Sequence, residues 1–253
     1  MPHSLSEIKI GKVESQLLST IKEHGVAHLT LFDPEKLTPF SAKRLASQVK
    51  LAGTAAAMVG GSTSTSVYEL DAIVKAIKTS GLNVILFPND VTGLSRNADA
   101  VFFMSLLNSL NPYYLSGAQA LGAPLVKRYG LEPIPVAYLI IGGNAGAAGF
   151  VGNANPIPYE KPELAAIYAL AAEYLGMRFV YLEAGSGAKQ IVSPAMISTV
   201  RKTSRMHIIA GGGIKSPSEA KSLAKAGADI IVTGTIAEKA SLRKVRQIIR
   251  AVR

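Results

Sequence analysis

The chain has 253 residues, 27 Lys and Arg against 17 Asp and Glu, a formal net charge of +10, and neither Cys nor Trp. That length suits one large α/β domain and excludes a small disulfide scaffold, and the missing Cys excludes thiol catalysis and Cys-ligated zinc or iron–sulfur centres. No apolar run approaches the ~20 residues that span a bilayer, and the N-terminal MPHSLSEIKIGKVE lacks the apolar core of a signal peptide, so a soluble, cytoplasmic protein is expected.

The basic excess suits nucleic acid, an anionic membrane surface or phosphorylated small molecules. Nucleic acid is disfavoured, because aromatics are only 6% and no zinc-finger spacing, RNP-like stretch or long Lys/Arg block occurs.

In chain order, an amphipathic helix over Glu7 to Glu23 is expected to plug one end of the fold. A strand over Ala27–Phe32 ends in LTLFDPEK, bringing Asp33 and Lys36 to its C-terminal end. After the helical pattern SAKRLASQVKLAG, a second strand over Ala55–Val59 ends in VGGSTSTS, placing Ser62 beside Asp33. An acidic oxygen and a hydroxyl on adjacent strand ends suit Mg²⁺; equally, Asp33 caps a turn and Ser62 a helix. The helix SVYELDAIVKAIKTSG leads to a third strand, Asn83–Phe87. The next connection, PNDVTGLSRNAD, has no apolar stripe and is too short for a helix with two loops, so helix 3 is predicted to be missing or replaced by a loop.

A fourth strand, Ala100–Leu106, precedes Tyr113 and Tyr114. Together with Phe102, Phe103 and Met104, these serve either as ordinary core or as the wall of an apolar groove. The fifth strand, Val136–Ile141, runs into GGNAGAAGFVGNAN, a mobile or closely packed loop without GxGxxG spacing. Past the helix KPELAAIYALAAEYLG comes the sixth strand, Phe179–Leu182, ending in YLEAGSGA. The seventh, His207–Ala210, ends in AGGGI, and SPSEAKSLAKAGA after it begins a helix whose dipole adds to anion attraction. The eighth, Asp229–Val232, ends in VTGT. A last helix carries Arg243, Lys244, Arg246, Arg250 and Arg253 on what reads as a solvated face, contact with anionic lipid being the alternative.

Eight regularly spaced strand–helix units predict a single-domain TIM (β/α)8 barrel over residues 1–253, with an open doubly wound sheet as the alternative. In such a barrel the site lies at the strands' C-terminal ends, where three Gly-rich endings form a phosphate cup. Glu183, the prominent acid there, accepts a proton from a substrate hydroxyl or orients it. The four histidines, His3, His24, His28 and His207, have no ligand spacing and read as structural. Walker A, HExxH and GxSxG motifs are absent.

The set HLTLFDPEK, GGST, LFPND, YLEAGSGA, AGGGI and VTGT resembles the geranylgeranylglyceryl phosphate synthase family, the archaeal ether-lipid prenyltransferases, with their bacterial heptaprenylglyceryl phosphate relatives. The resemblance runs from the first strand to the eighth, and members look like TIM barrels lacking helix 3. It implies transfer of a geranylgeranyl group from geranylgeranyl diphosphate to the 3-hydroxyl of sn-glycerol 1-phosphate, with Mg²⁺ as cofactor held by Asp33 and Ser62. Tyr181, Leu182, Glu183, Ala184, Gly185, Ser186 and Gly187, with Gly212, Gly213, Gly234 and Thr235, would bind glycerol phosphate. Lys36 would face the diphosphate, Glu183 and Tyr181 would be the catalytic pair, and a homo-oligomer is implied. The rivals are the heptaprenyl reaction, another phosphate-binding barrel isomerase or lyase, and a noncatalytic basic module.

Overall fold

A computed structural model describes residues 10–61, 66–142, 146–234 and 242–252. Eight parallel strands close into a barrel in sequence order: β1 Ala27–Phe32, β2 Ala56–Val59, β3 Val84–Leu86, β4 Ala100–Leu106, β5 Glu132–Ile140, β6 Phe179–Glu183, β7 His207–Gly211 and β8 Ile230–Thr233. Closure is made by β1 against β8, with Ala27 opposite Ile230 and Thr30 opposite Thr233. This rules out the doubly wound sheet.

Around the barrel run α1 Lys12–His24, α2 Pro39–Ala52, α3 Val67–Lys78, α4 Ala118–Tyr129, α5 Gly146–Val151, α6 Pro162–Tyr174, α7 Pro194–Thr203, α8 Pro217–Ala226 and α9 Leu242–Val252. Their starts follow from local chemistry. Thr38, Ser66, Ser193 and Ser216 accept the first free N–H groups, and Pro opens α2, α6, α7 and α8 where its missing N–H costs nothing. Between β3 and β4 there is only a 3₁₀ turn, Val91–Gly93, capped by Asp90 accepting from the Thr92 N–H at 2.7 Å. The third helix of the repeat is therefore absent, as PNDVTGLSRNAD predicts.

The N-terminal helix starts at Lys12 rather than Glu7, which lies outside the described residues. Ile10 and Gly11 are not helical, and the N–H groups of Val13 and Glu14 are taken by the Glu132 carboxylate at 2.7 and 2.8 Å. Val13 and Leu17 enter the barrel core beside Leu29, Ile134 and Phe179, so α1 does close the N-terminal end.

Strand β5 begins four residues before the expected Val136, through Pro133 and Pro135. Proline cannot donate to a ladder, which argues against a strand. Here the even-numbered residues of β5 bond toward β4, as Glu132 N–H does to Asp99 O, so both prolines face β6. Pairing with β6 starts only at Val136, so the missing donors are never needed. The Gly-rich stretch after β5, expected as a loop, contains the short helix α5; residues 143–145 lie outside the description. It is closely packed, since a Cβ on Gly142 or Gly152 would collide with Tyr159 or Leu106.

Side chains alternate between the barrel interior and the layer under the helices. Interior positions are Ala27 and Leu29 on β1, Met58 on β2, Tyr138 on β5, Phe179 and Tyr181 on β6, and Ile209 on β7. Continuing the alternation past each strand brings Asp33, Gly60, Phe87, Glu183, Gly211 and Gly234 to inward positions at the mouth.

Candidate active site

Asp33, Gly60, Phe87, Glu183 and Gly234 border one cavity of about 400 Å³, within the range of small-molecule sites. Its polar end is formed by Asp33, Lys36, Gly60, Gly61, Glu183, Gly185, Ser186 and Gly234. Its apolar end runs between β4, α4 and the 3₁₀ turn, past Phe103, Met104, Val91, Leu94, Gly122 and Val126. A helix 3 of ordinary size would occupy that end. Its omission leaves the flank of the barrel open beside the polar centre.

Glu183 is 8% exposed at the end of β6. Burial pushes its carboxyl above the ordinary value, and two donors act against that: the Tyr181 hydroxyl, and the Gly185 N–H at 2.7 Å from Oε1. Tyr181 is fully buried; burial first, then the neighbouring Glu183 charge, raise its hydroxyl well above its ordinary value and keep it a neutral donor. Tyr138, opposite Tyr181 across β5 and β6, is shifted the same way for the same two reasons. Phe87 stands at 5.3 Å from Tyr138 and 5.6 Å from Tyr181 between ring centroids, so three aromatic rings floor the mouth where its two ends meet.

The cup is shaped by what its glycines lack. A Cβ on Gly211 would collide with the Tyr181 hydroxyl, and one on Gly212 would stand 2.6 Å from the Gly185 nitrogen and 2.8 Å from that of Ala184. Leu182 and Ala184 turn the other way, into the layer beneath α6 and α7, and the Ala184 N–H donates to Gly211 O at 3.1 Å. Their side chains do not reach the cavity. Ser62 and Thr235 lie outside the described residues. The expected dipole contribution of α8 is reduced by its own cap: the Glu219 carboxylate already accepts from the N–H groups of Lys215 and Ser216 at 2.6 and 2.8 Å.

Asp33 does cap a turn, accepting from the Glu35 N–H at 3.2 Å, and it also ion-pairs with Lys36 over the cavity. Gly61 leaves a cradle at the Asp33 carboxylate, where a Cβ would sit 3.0 Å from Oδ1. That opening fits a hard cation taking one protein carboxylate and completing its shell with phosphate and water. No group of three or more acidic or histidine ligands occurs among the described residues. His28 is satisfied by Thr54 and Thr233 at 2.6 and 2.9 Å, a structural role, and His207 packs on Phe179.

Of the groove candidates, Phe102, Phe103, Met104 and Tyr114 line the cavity, while Tyr113 meets Tyr114 edge-to-face from outside it. Sequence reasoning missed Tyr138 and Phe87, and it did not single out Gly211 within AGGGI. Tyr138 carried a usable signal, a single hydroxyl at an inward position of an otherwise aliphatic run.

A closed parallel barrel with a Gly-rich cup, a buried carboxylate and an apolar side groove defines a phosphate-site TIM barrel built for a ligand with a long apolar part. The chain belongs to the PcrB family, which it matches over residues 19–252. It is 53% identical over 246 residues to the geranylgeranylglyceryl phosphate synthase of Thermofilum pendens, with 96% of each chain covered. Against the synthase of the same name from Thermococcus gammatolerans it is 53% identical, with 95% of each covered. The crystal structure of (S)-3-O-geranylgeranylglyceryl phosphate synthase from Thermoplasma acidophilum, in complex with its substrate sn-glycerol-1-phosphate, superposes with a TM-score of 0.90 at 40% identity, covering 96% of this chain and 99% of that one.

Proposed function

We propose that this protein transfers the geranylgeranyl group of geranylgeranyl diphosphate to the 3-hydroxyl of sn-glycerol 1-phosphate, releasing diphosphate. The observation that carries the reading is the continuity of one cavity from Glu183, Gly185, Ser186 and Gly234 to the apolar flank beside β4. The cup fixes the phosphate, and the fixed phosphate brings the glycerol hydroxyl to the carboxylate. Glu183 takes the hydroxyl proton as the allylic C–O bond breaks and the new C–O bond forms, while Tyr181 holds the carboxylate in place by donating to it. The tail lies along Phe103, Met104 and Val126. Asp33, with Ser62, would hold Mg²⁺, which supplies charge neutralisation for the leaving diphosphate. Lys36, across the mouth from Glu183, adds the basic group the diphosphate meets.

An isomerase or lyase using a Schiff-base lysine fits less well. Lys36 is the lysine among the described lining residues and is paired with Asp33, while Lys189 is exposed. The direct test incubates purified protein with glycerol 1-phosphate and C15, C20 or C35 diphosphates and reads product mass. C20 product is expected, and no prenylated product with any donor would sink the function.

The apolar end predicts the tail's limit. A Cβ on Gly122 would make ordinary contact with Val91 and Leu94 at 3.7 and 3.8 Å, so a larger side chain must project into the groove. Gly122→Phe is expected to cut kcat/KM for the C20 donor at least about 10-fold while sparing a C10 donor, since each lost methylene contact is worth roughly 0.8 kcal/mol. Equal losses for both donors would show that the tail lies elsewhere. At the other end, Asp33→Asn is expected to raise the Mg²⁺ concentration for half-maximal rate about 10-fold or more, as loss of a ligand charge does; an unchanged requirement removes Asp33 as a ligand.

A homo-oligomer is part of the same proposal. Helix α6 is apolar outside as well as inside, with Leu164, Ile167 and Tyr174, and Leu175 just after it, exposed, a face suited to a second copy. The reading places the protein in the cytoplasm at the membrane's edge, because the prenyl tail partitions into bilayer while glycerol phosphate stays in water. No described helix is long and apolar enough to cross a membrane.

A further inference from the structure

The net charge of +10 is unevenly placed. Helices α2, α8 and α9 carry nine of the 27 basic residues and one of the 17 acidic ones, so the rest of the chain is close to balance. The three helices are adjacent, with α9 packed against both α8 and α2. Along α9, Val245, Ile248, Ile249 and Val252 are buried in the core under the barrel's helical layer, and Arg243, Lys244, Arg246 and Arg250 are exposed. Its apolar stripe is already used, so the helix cannot lie within a bilayer, and only its cationic face is available. On one side α2 extends that face with Lys43, Arg44 and Lys50; on the other, α8 adds Lys221 and Lys225. Among the described residues none of the nine is in a salt bridge. The single acid, Glu219, is held by backbone N–H groups at the start of α8.

The second observation is apolar. Phe40, in the first turn of α2, is 77% exposed and shares a face with Lys43 and Arg44, three and four residues on. Tyr68, in the first turn of the neighbouring α3, is 89% exposed. Both turns follow strand C-terminal ends, so both rings stand at the rim of the mouth that holds Asp33 and Glu183. Aromatic side chains beside a cationic field match a lipid interface, where rings enter the headgroup layer and basic groups meet phosphates.

We propose that the α2–α8–α9 sector docks on an anionic lipid bilayer, with Phe40 and Tyr68 inserted at the rim of the mouth. The proposal deepens the prenyl-transfer reading by bringing the rim of the cavity mouth to the bilayer that holds the lipid donor and receives the product. The docking surface itself stands on charge and exposure alone.

The test is co-sedimentation of the whole protein with phosphatidylcholine vesicles, with and without one-third phosphatidylglycerol, across a salt series. Binding is expected only with phosphatidylglycerol and is expected to weaken as salt rises. The triple variant Arg243→Gln, Arg246→Gln, Arg250→Gln should bind about 100-fold more weakly, since each basic group near such a surface contributes roughly 5-fold. Phe40→Ser should weaken binding by a similar factor at every salt concentration, because the ring's contribution is apolar and not screened. Failure of the wild type to bind anionic vesicles, or unchanged binding of the triple variant at an unchanged melting temperature, overturns the proposal. Preference for single-stranded RNA over the vesicles at the same salt overturns it in favour of nucleic acid. Turnover of detergent-dispersed geranylgeranyl diphosphate by the triple variant reads the catalytic proposal separately: it is expected to match wild type whether or not the surface binds lipid.

Discussion

Glu183→Gln is expected to lower kcat by roughly 10²- to 10⁴-fold, the usual yield of a positioned general base, while changing KM for glycerol 1-phosphate only a few-fold. Gln keeps the shape and can still accept the Gly185 N–H, so the cup's geometry is preserved. It loses the ability to take a proton. The pH profile is the second readout. Burial raises the Glu183 carboxyl above its ordinary value despite the Tyr181 and Gly185 donors. The active form is the carboxylate, so kcat/KM should fall as pH drops through a midpoint above the ordinary carboxylate range. Tyr181→Phe removes a donor that favours the charged form, so the midpoint in that variant should move further up. A Gln variant that turns over at the wild-type rate would remove Glu183 as the base, and a Phe variant with an unmoved acid limb would remove Tyr181 as its positioning partner.

The placement of Glu183 also shows why residues at the mouth of the cavity were legible in the chain. A barrel strand has a period of two, and the site sits where each strand ends, so Asp33, Glu183 and Gly234 could be read once the strands were counted. The omission of helix 3 was legible for the same reason, since PNDVTGLSRNAD has neither the length nor the stripe for a helix. What escaped reading depended on neighbours in space. The start of β5 was hidden because Pro133 and Pro135 are tolerated only on the side where β6 has not yet begun. Tyr138 stood out as a lone hydroxyl in an aliphatic run, but its tie to Glu183 comes from its register opposite Tyr181, which the local pattern of β5 does not contain. The cap of α8 competes with the cup for its own N–H groups, and that competition turns on where the Glu219 carboxylate points. The partition of charge among α2, α8 and α9 needed the packing of α9 between the other two.

Gly212→Ala should lower kcat/KM for glycerol 1-phosphate about 100-fold, the loss that follows from a displacement of about 1 Å in a positioning element. Gly212 adopts φ +83, a left-handed conformation that alone costs Ala roughly 1–2 kcal/mol. Its surroundings add a steric term. The new Cβ would stand 2.5 Å from Glu183 Oε1 and 2.6 and 2.8 Å from the Gly185 and Ala184 nitrogens. None of these can yield cheaply: the Ala184 N–H is held by Gly211 O at 3.1 Å, and the Gly185 N–H by Glu183 Oε1 at 2.7 Å. Relief must therefore displace the base, the cup, or both, so KM rises and kcat falls together. Gly176→Ala separates conformation from crowding. Gly176 has φ +83 as well, after α6 at the far end of the barrel, and a Cβ there meets nothing within 4 Å. That variant should lose about 1 kcal/mol of stability and keep its kinetics. If Gly212→Ala destabilises no more than Gly176→Ala and binds glycerol phosphate as the wild type does, the glycine cup is not where the phosphate is held.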